Sequence, residues 1–172
     1  MSVAIYQSGV VLRIIGIDPG SRFTGYGLIE KRGQELIHLT SGRINATSGE
    51  SFAERLEIIY AGLEAVLGEL PVDEAAVETT FTAKNAQSTI KLGHARGVAL
   101  LALRHKGLEI HEYAPTLVKK SVTGQGRSTK EQVTQMVRIR LGLTVELSSD
   151  AADALAVAIC HSQVAGFNNR LQ

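Results

Sequence analysis

The sequence predicts an α/β fold built on a five-stranded mixed sheet, three antiparallel strands and then parallel ones, with helices on both faces. Three observations predict it. The run "VVLRIIGID" (Val10–Asp18) is β-branched and almost wholly apolar, the pattern of a strand buried on both faces. Two further strand-like runs follow it at hairpin spacing. After them, segments with helical spacing alternate with short apolar runs, as crossover connections require.

Taken in order, the first strand ends at Asp18, where "PGS" supplies a turn. "FTGYGLIEK" and "ELIHLTSGRI" are the second and third strands, joined tightly at Arg32-Gly33-Gln34, so the first three form a meander. In "SFAERLEIIYAGLEAVLGELP", Phe52, Leu56, Ile59, Leu63, Val66 and Leu70 recur at helical spacing. Ser51 and Glu54 match a capping box there, and Pro71 follows the end. "EAAVE" (Glu74–Glu78) is the fourth strand. "NAQSTIKLGHARGVALLALRHKG" is a long helix stopped by Gly107. "LEIHEYA" (Leu108–Ala114) is the fifth strand. "PTLVKKSV" is a short helix with Pro115 in its first turn, and "TGQGRS" is a loop. "STKEQVTQMVRIRLG" is a helix in which Ser128 and Glu131 match a capping box. A last helix contains "SSDAADALAVAIC". No repeat, linker or low-complexity run interrupts the chain, so residues 1–172 are expected to form one domain. About ten residues precede its first strand, with no role assigned, and a tail begins near residue 165.

Composition narrows the class. Hydrophobic residues make up 44% of the chain and charged ones 20%, which excludes a disordered protein. No apolar run approaches the roughly 20 residues of a spanning helix, and the first residues lack the pattern of a secretory leader. The single cysteine, Cys160, excludes an internal disulfide framework and suits a reducing compartment. A soluble cytoplasmic protein with no membrane partner is expected.

Charge is uneven. Residues 1–83 hold 6 basic and 11 acidic side chains, residues 84–140 hold 11 and 3, and residues 141–172 hold 1 and 3. The basic middle segment has either the electrostatic footprint of a polyanion partner or ordinary solvated helix faces.

Asp150 and Asp153 raise the chemical question. They share one face of an apolar helix, yet no Lys or Arg lies between Leu141 and Ala165. A charge taken out of water costs several kcal/mol unless something pairs with it. Asp18 and Glu78 close the first and fourth strands, whose C-terminal ends lie side by side if those strands pair in parallel. With the last helix docked over that edge, four carboxylates converge. Their repulsion is relieved by a divalent cation, and oxygen-only ligands point to Mg²⁺ or Mn²⁺ rather than zinc. Two such ions ~3.5–4 Å apart activate a water and stabilise the leaving oxygen of a phosphodiester. Taken singly, Asp18 also reads as a turn residue, Glu78 as an edge carboxylate, and the aspartate pair as caps or salt-bridge partners.

The stretches "GIDPGSRFTGYG", "AVETTFTAKNAQSTIKLGHARGVAL", "EYAPTLVKKSVTGQGRSTKEQV" and "DAADALAVAI" resemble, in order, the motifs of the RuvC-type Holliday-junction resolvases, from about Ile14 to His161. The resemblance implies an RNase H-like fold, a homodimer, and Mg²⁺-dependent cutting of four-way DNA junctions. It maps an acidic tetrad onto Asp18, Glu78, Asp150 and Asp153. Some relatives have His at the position of Asp150. Two catalytic lysines match Lys119 and Lys130, and a base-stacking aromatic matches Phe81. Asp18 and Glu78 would bridge two Mg²⁺ ions, with Mn²⁺ as a substitute, and the helical pair would complete their coordination and position the attacking water. Products with 5′-phosphate and 3′-hydroxyl ends, and branch-migration partners of the RuvA and RuvB type, are implied as well. Thr79 and Thr80 stand where relatives vary, which leaves base preference open.

Other residues gain expected roles beside this. Lys119, Lys120, Arg127 and Lys130 flank the "TGQG" loop, and a helix N-terminus with lysines makes a phosphate site. A solvated helix start is the bland alternative. Stacking of Phe81 on an unpaired base is worth ~1–3 kcal/mol, against a plain core role. Lys84, Lys91 and Arg96 line a DNA path along the long helix, whose broad apolar set leaves a second face for a twin subunit. The five histidines show no zinc-ligand spacing, so His94, His105, His111 and His161 are read as structural.

The expected function is therefore a homodimeric, Mg²⁺-dependent endonuclease that resolves Holliday junctions in recombination and repair. Its rivals are another RNase H-like nuclease acting on RNA or an RNA–DNA hybrid, and a junction-binding protein without catalysis. A pure binder gains nothing from negative charge facing phosphates. A phosphotransferase of the actin-like kind, suggested by a loose likeness of "GIDPGSRFTGYG" to its phosphate loop, needs a second similar half that 172 residues do not hold.

Overall fold

The computed structural model describes residues 11–79 and 85–168. The elements run β1 (Val11–Asp18), β2 (Phe23–Arg32), β3 (Glu35–Asn45), α1 (Phe52–Glu69), β4 (Glu74–Glu78), α2 (Ala86–His105), β5 (Glu109–Tyr113), α3 (Pro115–Thr123), α4 (Lys130–Arg140) and α5 (Ser149–Asn168). This is the predicted order, with ends shifted by a residue or two. The sheet order is β3-β2-β1-β4-β5. β1 pairs antiparallel with β2, and β2 with β3, while β4 pairs parallel with both β1 and β5.

Alternation along the strands builds two cores. Ile15, Ile17, Leu28 and Val77 face α1 and α2, meeting Ile59, Leu63, Ala99 and Leu103. Ile14, Ile29 and Ala76 face the other side and meet Val133 of α4 and Leu155 and Ile159 of α5. The β2–β3 hairpin turns at Gly33, whose φ of 60° suits a residue without Cβ at the first turn position.

Helix starts follow side-chain chemistry. Ser51 and Glu54 cap α1 reciprocally, as predicted. At α4 the expectation is corrected: the box is made by Thr129 and Gln132, not by Ser128 and Glu131. Ser128 is buried, and its hydroxyl is already engaged by the Thr123 hydroxyl at 2.6 Å and the Gln125 carbonyl at 3.0 Å. The neighbouring threonine therefore takes over the cap.

The placement of α5 matters most for the site. A Cβ on Gly16 would lie 2.0 Å from the Ala154 carbonyl oxygen, and one on Gly25 would lie 2.0 Å from the Asp150 carbonyl oxygen. These two missing side chains let α5 press onto β1 and β2, which sets the height and direction of its first turn. Among the described residues no helix is long and apolar enough to cross a membrane.

Candidate active site

The parallel ladder between β1 and β4 runs up to Ile17 opposite Val77, one residue short of Asp18 and Glu78. Both carboxylates therefore leave the sheet at its C-terminal edge, where open α/β sheets hold ligands. Across the meander, Asp18 pairs with Gly25, and Asp150 of α5 sits directly above that glycine. One helical turn on, Asp153 follows on the same face. All four predicted carboxylates are half-buried.

Electrostatics shows that they sense one another. Burial first, then the charges of Asp153, Glu78 and Asp150, push the Asp18 carboxyl up from 3.8 to about 7, while Lys130 pulls the other way. Lys130 also shifts upward, from the other side of the pair: the hydrogen bond to Asp153 holds its ammonium above the usual lysine range.

Two cations answer the question of the missing counter-charge. Lys130, the first residue of α4, donates from Nζ to Asp153 Oδ2 at 2.9 Å. Arg43 of β3 brings Nη1 to 3.8 Å from Asp150 Oδ2, with its guanidinium 4.5 Å above the Phe23 ring. Arg43 was not expected at the site. It stands opposite Gly25, which stands opposite Asp18, so three adjacent strands line up Asp18, Gly25 and Arg43. A bulge between Leu28 and Ile29 shifts the register by one residue and brings Arg43 there in place of Gly42.

The other expected residues divide. Lys119 is half-buried on α3, and Lys120 and Arg127 are exposed near the same loop. Among the described residues none of these three makes an ion pair with the tetrad. Lys91 and Arg96 lie on α2, across the sheet from α5. Lys91 is 5.8 Å from the centre of the Phe52 ring, and Arg96 is ion-paired to Glu112 at 2.7 Å. Phe81 and Lys84 lie outside the described residues.

Oxygen-only donors, mutual repulsion and partial burial fit a hard divalent cation held by the four carboxylates. With water and an adjacent phosphate, such a centre can hydrolyse a phosphodiester.

Known proteins resemble this chain over most of its length. Residues 14–161 match the family model described as crossover junction endodeoxyribonuclease RuvC. A protein of that description from Citrifermentans bemidjiense is 51% identical over 155 residues, covering 90% of this chain and 94% of the relative. Another from Geobacter sp. (strain M21) is 50% identical over 159 residues, covering 92% and 97%. Among solved structures, Thermus thermophilus RuvC in complex with a Holliday junction substrate superposes with a TM-score of 0.85 at 32% identity, covering 91% of this chain and 96% of that one.

Proposed function

Since the chain belongs to the RuvC family of crossover junction endodeoxyribonucleases, we propose that it resolves four-way DNA junctions by hydrolysing phosphodiesters at the Asp18–Glu78–Asp150–Asp153 cluster. The carrying observation is the response of Asp18 to its three acidic neighbours, which marks a site kept electrostatically frustrated in the free protein. The junction-bound Thermus relative supports the choice of substrate.

In this reading the four carboxylates hold two Mg²⁺ ions, with Mn²⁺ able to replace them. When bound, such ions supply Lewis acidity and activate water towards the phosphodiester. The protein's own groups do the rest. Asp18 would hold a cation only as the carboxylate, so its raised affinity for a proton would compete with the metal. Asp150 and Asp153, fixed by the close seat of α5 on Gly16 and Gly25, orient the incoming water. Lys130 neutralises Asp153 in the free protein, and its ammonium would be available to the scissile phosphate if a metal ion held that carboxylate. Arg43, anchored over Phe23, meets a neighbouring phosphate. Lys119, Lys120 and Arg127 guide the backbone toward the cluster, and Phe81 stacks on a junction base. Lys84, Lys91 and Arg96 extend the DNA path, with Arg96 first leaving Glu112. Cleavage leaves 5′-phosphate and 3′-hydroxyl ends.

The reading includes one domain over residues 1–172 and a homodimer, since junction resolution needs two cuts on opposing strands. Ile90 and Leu101 of α2, 60% and 49% exposed, support a second copy packing there. RuvA- and RuvB-type partners and a cytoplasmic location complete it. The test compares nicking of a four-way junction with that of an RNA–DNA hybrid, with and without Mg²⁺, for the wild type and Asp150→Asn. Mg²⁺-dependent junction cutting that the variant loses supports the proposal. Preference for the hybrid favours the general RNase H-like nuclease, and tight junction binding without cutting favours the pure binder.

A further inference from the structure

The opposite end of the same sheet carries a second cluster. Glu74 opens β4, His111 lies on β5, and His161 lies on α5. One ligand atom from each falls within 4.8 Å of the other two. Glu74 precedes Glu78 by four residues, about 13 Å along a strand, and His161 follows Asp153 by eight residues, about 12 Å along a helix. The cluster therefore lies about 12 Å along α5 from Asp153, past the middle of that helix, while Asp150 and Asp153 sit near its start.

Its chemistry differs from that of the tetrad. His161 is buried, with 2% of its side chain exposed. Its Nε2 faces Glu74 Oε2 at 2.5 Å and its Nδ1 faces the Tyr113 hydroxyl at 2.5 Å. The His111 ring stacks on it, 4.3 Å between centroids. His111 Nε2 is buried without a hydrogen-bond partner, with Glu109 Oε1 3.7 Å away. An unsatisfied buried polar atom of this kind costs ~1–3 kcal/mol, so a ligand for it is favoured.

We propose that Glu74, His111 and His161 form a second metal site, one that takes a Zn²⁺-class ion. Two imidazole nitrogens and one carboxylate are a known zinc donor set that leaves a fourth position for water, and nitrogen donors select such an ion over Mg²⁺. Tyr113 supplies the orientation. With Nδ1–H donating to the Tyr113 hydroxyl, the Nε2 lone pair of His161 faces Glu74; at 2.5 Å a proton fills that contact, and a Zn²⁺-class ion takes its place as the two side chains separate to more than about 3 Å. His111 has to tilt out of its stack to share the ion, and its 31% exposure leaves room. Lys31, which donates a hydrogen bond to the Ser162 carbonyl, places a positive charge on the adjoining turn of α5. Binding therefore rests on donor atoms rather than on net negative charge. The ion ties β4 and β5 to α5, the helix whose first turn carries Asp150 and Asp153.

The test uses the full-length protein, stripped of metal, titrated with Zn²⁺ by calorimetry and with Co²⁺ by visible absorption. The wild type and Asp153→Asn should each bind one Zn²⁺ equivalent at this site, give the absorption of four-coordinate Co²⁺, and melt at a higher temperature with Zn²⁺. His111→Ala and Glu74→Gln, both at partly exposed positions, should lose the cobalt spectrum and bind Zn²⁺ at least tenfold more weakly. A circular-dichroism melt without metal checks their folding. Absence of Zn²⁺ binding by the wild type overturns the proposal. So does a cobalt spectrum that survives both cluster variants, or one that disappears in Asp153→Asn.

Discussion

Replacing Asp18 with asparagine should stabilise the metal-free protein while abolishing its chemistry. Burial and the charges of Asp153, Glu78 and Asp150 push the Asp18 carboxyl from 3.8 to about 7. Between those values the folded protein keeps a proton that the unfolded chain has released. The stability linked to Asp18 is thus fully present below about pH 4, falls as pH rises, and is gone above about pH 7. At ~1.36 kcal/mol per pKa unit, the loss has an upper bound of about 4 kcal/mol. Side-chain relaxation and water lower it, and a difference of at least about 1 kcal/mol is expected. The asparagine side chain has nearly the same shape and no charge, so Asp18→Asn should escape the loss. Urea unfolding in EDTA between pH 4.5 and 8 reads this directly, because other titrating groups cancel in the difference between the two proteins. The gap should widen with pH and close when Mg²⁺ is added, since the cation stabilises the wild type selectively. Equal stability of the two proteins at pH 8 in EDTA would refute the claim that these carboxylates repel one another in one cluster.

Lys130→Met should reduce junction turnover about tenfold or more while changing junction affinity far less; unchanged turnover in single-turnover nicking ends its catalytic role. Gly25→Ala forces a Cβ against the Asp150 carbonyl, so it should cost about 1–3 kcal/mol in chemical denaturation and cut nicking out of proportion to its folded fraction. Ser51→Ala should cost about 1 kcal/mol through loss of its cap on α1, read by chemical denaturation.

The strand order was readable because each step follows from a local rule: a two-residue hairpin, then right-handed crossovers that place β4 beside β1. That order put Asp18 and Glu78 at one edge. Asp150 and Asp153, with no Lys or Arg near them in sequence, signalled a counter-charge from elsewhere, and Lys130 and Arg43 supply it within the fold. What stayed hidden depends on contacts between distant segments. The α4 cap moved from Ser128 to Thr129 because tertiary packing had claimed the serine hydroxyl. Arg43 escaped notice because a β-bulge, which leaves no mark in the hydrophobic pattern, decides whether Gly42 or Arg43 stands opposite Gly25. Glu74 and His161 are 87 residues apart, so no spacing rule joins them.

The most direct measurement of the central claim is anomalous diffraction from crystals grown with Mn²⁺. Density about 2 Å from carboxylate oxygens of Asp18 and its three partners is expected, and it should vanish in Asp18→Asn. Manganese bound only elsewhere, or a tetrad whose side chains turn outward with no ion among them, would contradict the account.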